Sequence, residues 1–252
     1  MIVLGIPHWL VAALIAPFVG SFLGVVAMRL PVGQPVALGR SKCPDCGTTL
    51  GIADLIPLVS WLSSRGKCRH CGVAIGRIYP AIELAAIAVP LWAASEIAGW
   101  PLWASCFLGW SLLTLAVMDV RSMILANSLT LPLVAVGLLV SWALGIETLR
   151  DSAIGAVAGY LSFALIAWLY RTVRGREGLG LGDAKLLAAG GAWLTWPALP
   201  SVVALAAISG LAMTLAQSIV RRTFREGERL PFGPHLGVAI WLVWLYGPVV
   251  TG

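Results

Sequence analysis

Charged residues are scarce in this chain of 252 residues. Asp, Glu, Lys and Arg together make up 11% of it, whereas 59% is hydrophobic. Soluble domains carry about 25% charged residues, so this composition excludes an ordinary soluble globular protein. Apolar stretches long enough to cross a bilayer recur along the whole sequence. The sequence therefore predicts an all-α polytopic membrane protein.

Acidic residues are fewer than basic ones, 11 against 17, which gives a formal net charge of +6. An excess of positive charge can indicate a nucleic-acid partner. In a chain this apolar, however, Lys and Arg more often mark the cytoplasmic loops of a membrane protein. We therefore expect the lipid bilayer, and no nucleic acid, as a partner of this chain.

The chain also lacks a basic segment before its first apolar run, and that run continues too far for a cleaved signal peptide. We therefore predict a retained first helix within residues 1–30, followed by a polar loop at 31–78 and a seven-helix core at 79–252. The eight predicted spans lie at about 7–30, 79–98, 101–119, 124–145, 152–170, 184–196, 198–219 and 233–249.

Cysteine is rare outside the polar loop, because only Cys106 of the five cysteines lies in an apolar segment. The loop carries Cys43-Pro44-Asp45-Cys46 and Cys68-Arg69-His70-Cys71, with 21 residues between the inner cysteines and a glycine after each pair. Four thiolates at this spacing fit a closed, structural zinc site. Two disulfides are the alternative, which a cytoplasmic position of the loop would disfavour.

The distribution of positive charge predicts the orientation. If the 31–78 loop is cytoplasmic, 16 of the 17 Lys and Arg residues lie on that side, and only Arg150 lies on the other. Eight spans then place both termini in the periplasm. The same arrangement puts Asp119 and Asp183 near the cytoplasmic face.

Two acids lie at the ends of predicted spans, where a charged group is costly and is by default a functional candidate. Asp183 follows the alternating glycines Gly178, Gly180 and Gly182, whereas Asp119 ends another apolar segment. The glycines let another backbone or a peptide approach closely. Two neighbouring carboxylates can share a proton and hydrolyse a peptide bond. The alternative is two unrelated acids at helix ends.

Several motifs together resemble the type IV prepilin leader peptidases, a family of membrane aspartyl proteases. The resemblance covers nearly the whole chain and includes the paired cysteines and both aspartate regions. Its remaining motifs are Gly20-Ser21-Phe22-Leu23, Arg29-Leu30-Pro31, Pro57-Leu58-Val59-Ser60-Trp61, Arg77-Ile78-Tyr79-Pro80 with Glu83, Leu129-Thr130-Leu131-Pro132 and Pro231-Phe232-Gly233-Pro234.

This resemblance implies that Asp119 and Asp183 are the catalytic pair and that residues 79–252 form a peptidase core. The substrate would be a prepilin or pseudopilin whose apolar helix lies in the bacterial inner membrane, cut at the cytoplasmic face to release a short basic leader. Many members then methylate the new N-terminus with S-adenosylmethionine. That second activity is expected from the resemblance alone, because the sequence has no glycine-rich βα turn of the soluble nucleotide-binding folds.

Four further residues are expected to support the active site. Gly180 and Gly182 flank the second aspartate. Glu83, just inside the second span, would orient substrate or join a polar network, or else be an interfacial glutamate that reaches water. Lys185 would contact substrate, or else extend its amine to the membrane surface.

Two other functions are each compatible with some of these sequence features. An ion- or proton-coupled transporter also uses intramembrane acids and glycine-interrupted helices. The absence of a visible internal repeat and the presence of the cysteine loop argue against it. A membrane-anchored zinc scaffold would explain the loop, but it would leave both aspartates without a role.

Overall fold

A computed structural model describes residues 2–3, 6–36, 40–176, 178–221 and 230–249. The basic stretch at 222–229 and the C-terminal Gly252, both used in the predicted topology, lie outside the described residues. The chain divides into two compact units, residues 1–114 and 115–252. Its helices are α1 (His8–Arg29), α2 (Val59–Ser63), α3 (Ile78–Glu96), α4 (Pro101–Ser122), α5 (Asn127–Leu144), α6 (Ile146–Arg174), α7 (Leu181–Leu194), α8 (Leu199–Arg221) and α9 (Gly233–Tyr246).

The fold is that of a helical membrane protein, as the composition predicts. Within the described ranges, six helices are long and apolar enough to cross a bilayer, namely α1, α3, α4, α5, α6 and α8. The predicted sixth and eighth spans correspond to α7 and α9, which have only 14 residues each. At 1.5 Å per residue such a helix is about 21 Å long, less than the roughly 30 Å of a hydrocarbon core. The predicted count of eight spans is therefore not confirmed.

The first unit is organised by the packing of α1 on α3. The two helices meet at Gly20, where an added Cβ would lie 2.8 Å from the Cα of Glu83. Small buried residues continue the contact along both helices and allow this close approach. The only strands described are Ile2–Val3 and Ile6–Pro7, which pair antiparallel ahead of α1. Packing at Gly20 therefore fixes where Glu83 lies.

The second unit is built around α7, which α5, α6 and α9 contact. Ten of its residues are buried, including a continuous run from Leu186 to Trp193. This run is apolar all round and has no face suited to water, and in this structure neighbouring helices cover it. Gly159 of α6 makes the approach possible, because a Cβ there would lie 2.7 Å from the carbonyl oxygen of Leu187. This packing holds the first turn of α7, and Asp183 within it, in place.

We expect Gly159→Val to destabilise the second unit by about 1–3 kcal/mol, the usual range for overpacking, because the carbonyl it would meet belongs to a rigid helix. The measurement is the thermal unfolding midpoint of the purified protein in detergent. Ala158→Val is the matched control, since Ala158 is the neighbouring residue and is exposed. Equal midpoints for the two variants would show that the close approach of α6 and α7 is not needed.

Candidate active site

Asp119 lies in the last turn of α4 and is buried, with 6% of its surface exposed. Its Oδ2 accepts a hydrogen bond of 2.8 Å from the backbone N–H of Gly233, the first residue of α9. A Cβ at position 233 would lie 2.8 Å from the same oxygen, so only glycine lets the two approach this closely. The start of α9 thus holds one oxygen of the carboxylate in place.

Asp183 lies in the first turn of α7 and is 9% exposed. Its Oδ2 faces Gly180, where an added Cβ would lie 3.3 Å away, while its backbone N–H donates to the carbonyl of Gly180. Its Oδ1 is buried and has no hydrogen-bond partner among the described residues. A buried polar atom without a partner is costly, and at a candidate site it indicates an atom that serves water or substrate.

The two aspartates, which the sequence places 64 positions apart, lie close enough to interact electrostatically. Both aspartates belong to the second unit. Their surroundings differ, because a backbone N–H holds Asp119 whereas one oxygen of Asp183 has no partner within the described ranges. Two carboxyl groups in unlike surroundings are suited to different roles in acid–base chemistry.

The start of α7 is also held by the segment that precedes α5. A Cβ at Gly182 would lie 3.0 Å from the Cβ of Leu125, so glycine permits a close contact there. Nζ of Lys185 donates a hydrogen bond of 2.6 Å to Oδ1 of Asn127. Sequence reasoning did not assign Asn127 to the site, because its partner is 58 residues away. Lys185 therefore links α7 to α5 by a hydrogen bond, and its predicted contact with substrate stays a prediction.

Glu83 belongs to the first unit, where it is buried with 7% of its surface exposed. Its Oε2 accepts a hydrogen bond of 2.8 Å from the backbone N–H of Leu58. Leu58 has a φ of +60°, a conformation that is rare for leucine, and it immediately precedes α2. Glu83 therefore ties the polar loop to α3, which agrees with a polar network and leaves its expected action on substrate a prediction.

The four loop cysteines come together as one cluster. All five cysteines of the chain lie in described ranges and none forms a disulfide. The sulfur atoms of Cys43, Cys46, Cys68 and Cys71 lie within 4.8 Å of one another. Cys43 Sγ and Cys71 Sγ are 3.8 Å apart, and zinc–sulfur bonds of about 2.3 Å in a tetrahedron require about 3.8 Å between sulfurs. The cluster can thus hold a metal ion.

The backbone turn after each Cys-x-x-Cys pair supports the clustering of the four sulfur atoms. Gly47 and Gly72 have φ values of +69° and +75°, and their N–H groups donate to the carbonyls of Cys43 and Cys68. The side-chain hydroxyl of Thr48, 3.3 Å from Cys46 Sγ, and the Thr48 backbone lower the pKa of the Cys46 thiol to about 6. A lowered pKa favours the thiolate, which is the form that binds metal.

Comparison with known proteins identifies the family. The model of the bacterial peptidase A24 N-terminal domain matches residues 14–97, and that of the type IV leader peptidase family matches residues 106–215. The chain belongs to the type IV leader peptidase family. This confirms the resemblance of its motifs and the prediction of a membrane peptidase, and it gives the transporter interpretation no support.

Curated relatives extend the match to nearly the full length. A protein named prepilin leader peptidase/N-methyltransferase from Aeromonas hydrophila is 38% identical over 98% of this chain and 94% of its own. Proteins of the same name from Burkholderia pseudomallei strain 1026b and Pseudomonas aeruginosa are 42% and 35% identical, over 86% and 94% of this chain and 79% and 90% of their own. No solved structure matches the chain.

Proposed function

We propose that this protein is an endopeptidase of the bacterial inner membrane that removes the leader from prepilins or pseudopilins, with Asp119 and Asp183 as its catalytic pair. The observation that carries this proposal is that two buried carboxylates at the ends of α4 and α7 interact electrostatically, and that one of them has an oxygen without a hydrogen-bond partner in the described part of the chain. Family membership supports the reaction class, and the geometry supports the choice of residues.

The chemistry follows from two carboxyl groups that share one proton. The ionised group removes a proton from water, whose oxygen attacks the carbonyl carbon of the scissile peptide bond. The protonated group polarises the carbonyl oxygen, and the departing nitrogen receives a proton as the C–N bond breaks. Burial strengthens these interactions, because water does not screen them. Oδ1 of Asp183 is the oxygen left to bind the attacking water or the carbonyl.

The glycines of the candidate site allow close packing and also leave room for a peptide substrate. Gly180 lies beside Asp183 Oδ2, and Gly182 lies against Leu125. The absence of a side chain at Gly180, which is exposed, leaves its backbone open to an extended peptide, which can then reach the carboxylates. Lys185, fixed by Asn127, would hold α7 in register during cleavage.

The substrate's apolar helix would lie in the bilayer with its basic leader in the cytoplasm. The charge distribution supports a cytoplasmic active site, because 16 of the 17 Lys and Arg residues lie on that side in the predicted orientation. The four-cysteine cluster would hold one structural Zn²⁺, since a shell closed by four thiolates leaves no position for a catalytic water. N-methylation of the new N-terminus with S-adenosylmethionine would be a second activity.

The proposal is tested by incubating the purified full-length protein in nanodiscs with a synthetic prepilin segment that carries a leader and the following apolar residues. We expect one cut at the end of the leader, identified by mass spectrometry. The rival transporter predicts no cut, together with proton or Na⁺ flux when the protein is placed in proteoliposomes. Flux without cleavage would contradict the proposed function.

Topology provides a separate prediction. A reporter fused after Gly252 should read as periplasmic, and a membrane-impermeant thiol reagent should label the 40–77 loop only from the cytoplasmic side. Removal of metal before labelling makes the cysteines reactive, and Cys106, buried in α4, should not react from either side. A cytoplasmic C-terminus would show that one of the short helices, α7 or α9, does not cross the bilayer.

A further inference from the structure

One side of the loop between the two cysteine pairs is apolar. From residue 52 to residue 62, every exposed residue is apolar. The polar residues of this segment, Asp54 and Ser60, are half-buried and line a cavity inside the first unit. We call the exposed side the apolar loop face, and its members are Ile52, Ala53, Leu55, Ile56, Val59 and Leu62.

The members of the apolar loop face are strongly exposed. Ile52 and Leu62, at its two ends, are 87% and 66% exposed, and Val59 between them is 59% exposed. Contact of such side chains with water is unfavourable. Contiguous apolar surface therefore marks a place where a protein meets another protein or a membrane.

A hydrogen bond to α3 fixes the depth of this face relative to the membrane-spanning helices. The backbone N–H of Leu58, in the middle of the segment, donates to Oε2 of Glu83 at 2.8 Å. Glu83 is the sixth residue of α3, so it lies about 7.5 Å along the helix axis from Ile78. With 19 residues, α3 is about 28 Å long, close to the roughly 30 Å of a hydrocarbon core. The middle of the segment thus lies several ångströms inside the edge of that core.

Apolar side chains of two membrane-spanning helices are exposed at the same level. Leu84, next to Glu83 on α3, is 58% exposed. Gly20 of α1 packs against Glu83, and Phe22, two residues further along α1, is 54% exposed. Both helices are among the six that are long and apolar enough to cross a bilayer. The apolar loop face therefore lies level with surface that α1 and α3 present to lipid.

The backbone in the middle of the segment is suited to a place without water. Lipid offers no hydrogen bonds, so each backbone N–H there needs a partner within the protein. Pro57 has no N–H group, and the N–H of Leu58 is bound by Glu83. The N–H of Val59 donates to the carbonyl of Pro57 at 2.6 Å. A lipid environment thus explains why a buried carboxylate serves this loop.

Basic residues surround the apolar loop face. Arg65 and Lys67, which follow it, are exposed. Arg29 lies in the last turn of α1, and Arg77 caps the start of α3. Positive charge beside apolar surface favours a membrane whose headgroups are anionic, and it disfavours a basic leader peptide as the occupant of the face.

We propose that the apolar loop face inserts into the bilayer leaflet nearest the loop and holds the cysteine cluster against the membrane surface. The occupant of the face is phospholipid. Interfacial segments bury their apolar side about 5–10 Å into the boundary between headgroups and acyl chains, which agrees with the depth set by Glu83. The proposal goes beyond the peptidase reaction and does not depend on it.

The test measures what each side of the loop touches. Ile52→Cys, Ala53→Cys and Leu62→Cys are prepared singly in the zinc-loaded, full-length protein and carry a nitroxide. The protein is placed in nanodiscs of phosphatidylethanolamine and phosphatidylglycerol, and collisions of the nitroxide with oxygen and with a polar nickel chelate are measured. Leu14→Cys, 63% exposed on α1, is the lipid reference, and Gln34→Cys, exposed beyond the end of α1, is the water reference.

The ratio of oxygen to nickel accessibility at the three loop positions should be at least about tenfold higher than at Gln34, because oxygen concentrates in hydrocarbon and the chelate stays in water. Zinc content equal to that of the wild type shows that the loop is folded, and Ala53→Cys is the mildest of the changes. A ratio equal to that at Gln34 would place the face in water. Low accessibility to both reagents would place it against protein, and either result would overturn the proposal.

A second measurement needs no variant. Wild-type protein is illuminated in nanodiscs that contain a phospholipid with a carbene-generating group near the glycerol end of one acyl chain. Mass spectrometry should find lipid adducts on peptides from residues 52–62, and none on residues 43–47 of the first cysteine pair. Adducts on α1 without any on residues 52–62 would refute insertion. Loss of the loop adducts when a prepilin segment is added would show that substrate, rather than lipid, occupies the face.

Discussion

Asp119→Asn and Asp183→Asn should each reduce kcat for leader cleavage by about 10²–10⁴-fold, the range that a general acid or base contributes. Asparagine keeps the size of the side chain but neither removes a proton from water nor donates one from a carboxyl group. In the Asp119→Asn variant the amide oxygen would still accept the Gly233 N–H, so the fold should survive the change. The measurement is the initial rate of leader release from a prepilin segment in nanodiscs, at saturating substrate.

Glu147→Gln is the matched control for these two variants. It makes the same acid-to-amide change at an exposed residue in the first turn of α6, and its rate should equal that of the wild type. A near wild-type rate for either aspartate variant would remove that residue from the catalytic pair. Such a result for both would favour the scaffold interpretation, in which the aspartates have no chemical role.

Cys43→Ser or Cys68→Ser should lower the zinc content from about one ion per chain to near zero, because a tetrahedral site with three thiolates and a hydroxyl binds zinc far more weakly. Structural zinc contributes to folding directly, so the loop should lose stability by several kcal/mol. Zinc is measured by mass spectrometry of the purified protein, and loop stability by protease resistance of the 40–77 segment.

Cys106→Ser controls for the chemical change, since Cys106 lies in α4 and outside the cluster, and it should retain the ion. Chelation of wild-type zinc should leave cleavage intact for as long as the loop remains folded, because both aspartates belong to the other unit. Immediate loss of cleavage in a protein whose loop still resists protease would place the metal in the reaction.

The family of this protein could be predicted from its sequence because short local motifs carry the resemblance. Two pairs of cysteines predict a four-sulfur cluster without reference to the rest of the chain, and the glycines around Asp183 mark a helix start without side chains. The contacts that complete the site could not be predicted in this way. Gly233 reaches Asp119 across 114 positions, and only the packing of α9 brings them together.

Hydropathy was least informative about the number of membrane-spanning helices. α7 is as apolar as a membrane-spanning helix, but it has 14 residues and its apolar surface is covered by α5, α6 and α9. Composition alone does not distinguish a helix covered by lipid from one covered by other helices. The hydrogen bond of Lys185 could not be predicted for a related reason, because its partner Asn127 lies at the start of a different helix.

The most direct test of the central claim is a double-mutant cycle on Asp119 and Asp183. If the two carboxyl groups act as one unit, removal of either stops the chemistry, and removal of the second should cost almost nothing more. We therefore predict that Asp119→Asn, Asp183→Asn and the double variant share one residual rate of leader cleavage within a few-fold. Losses that multiply in the double variant would show that the two aspartates act independently and would contradict a shared active site.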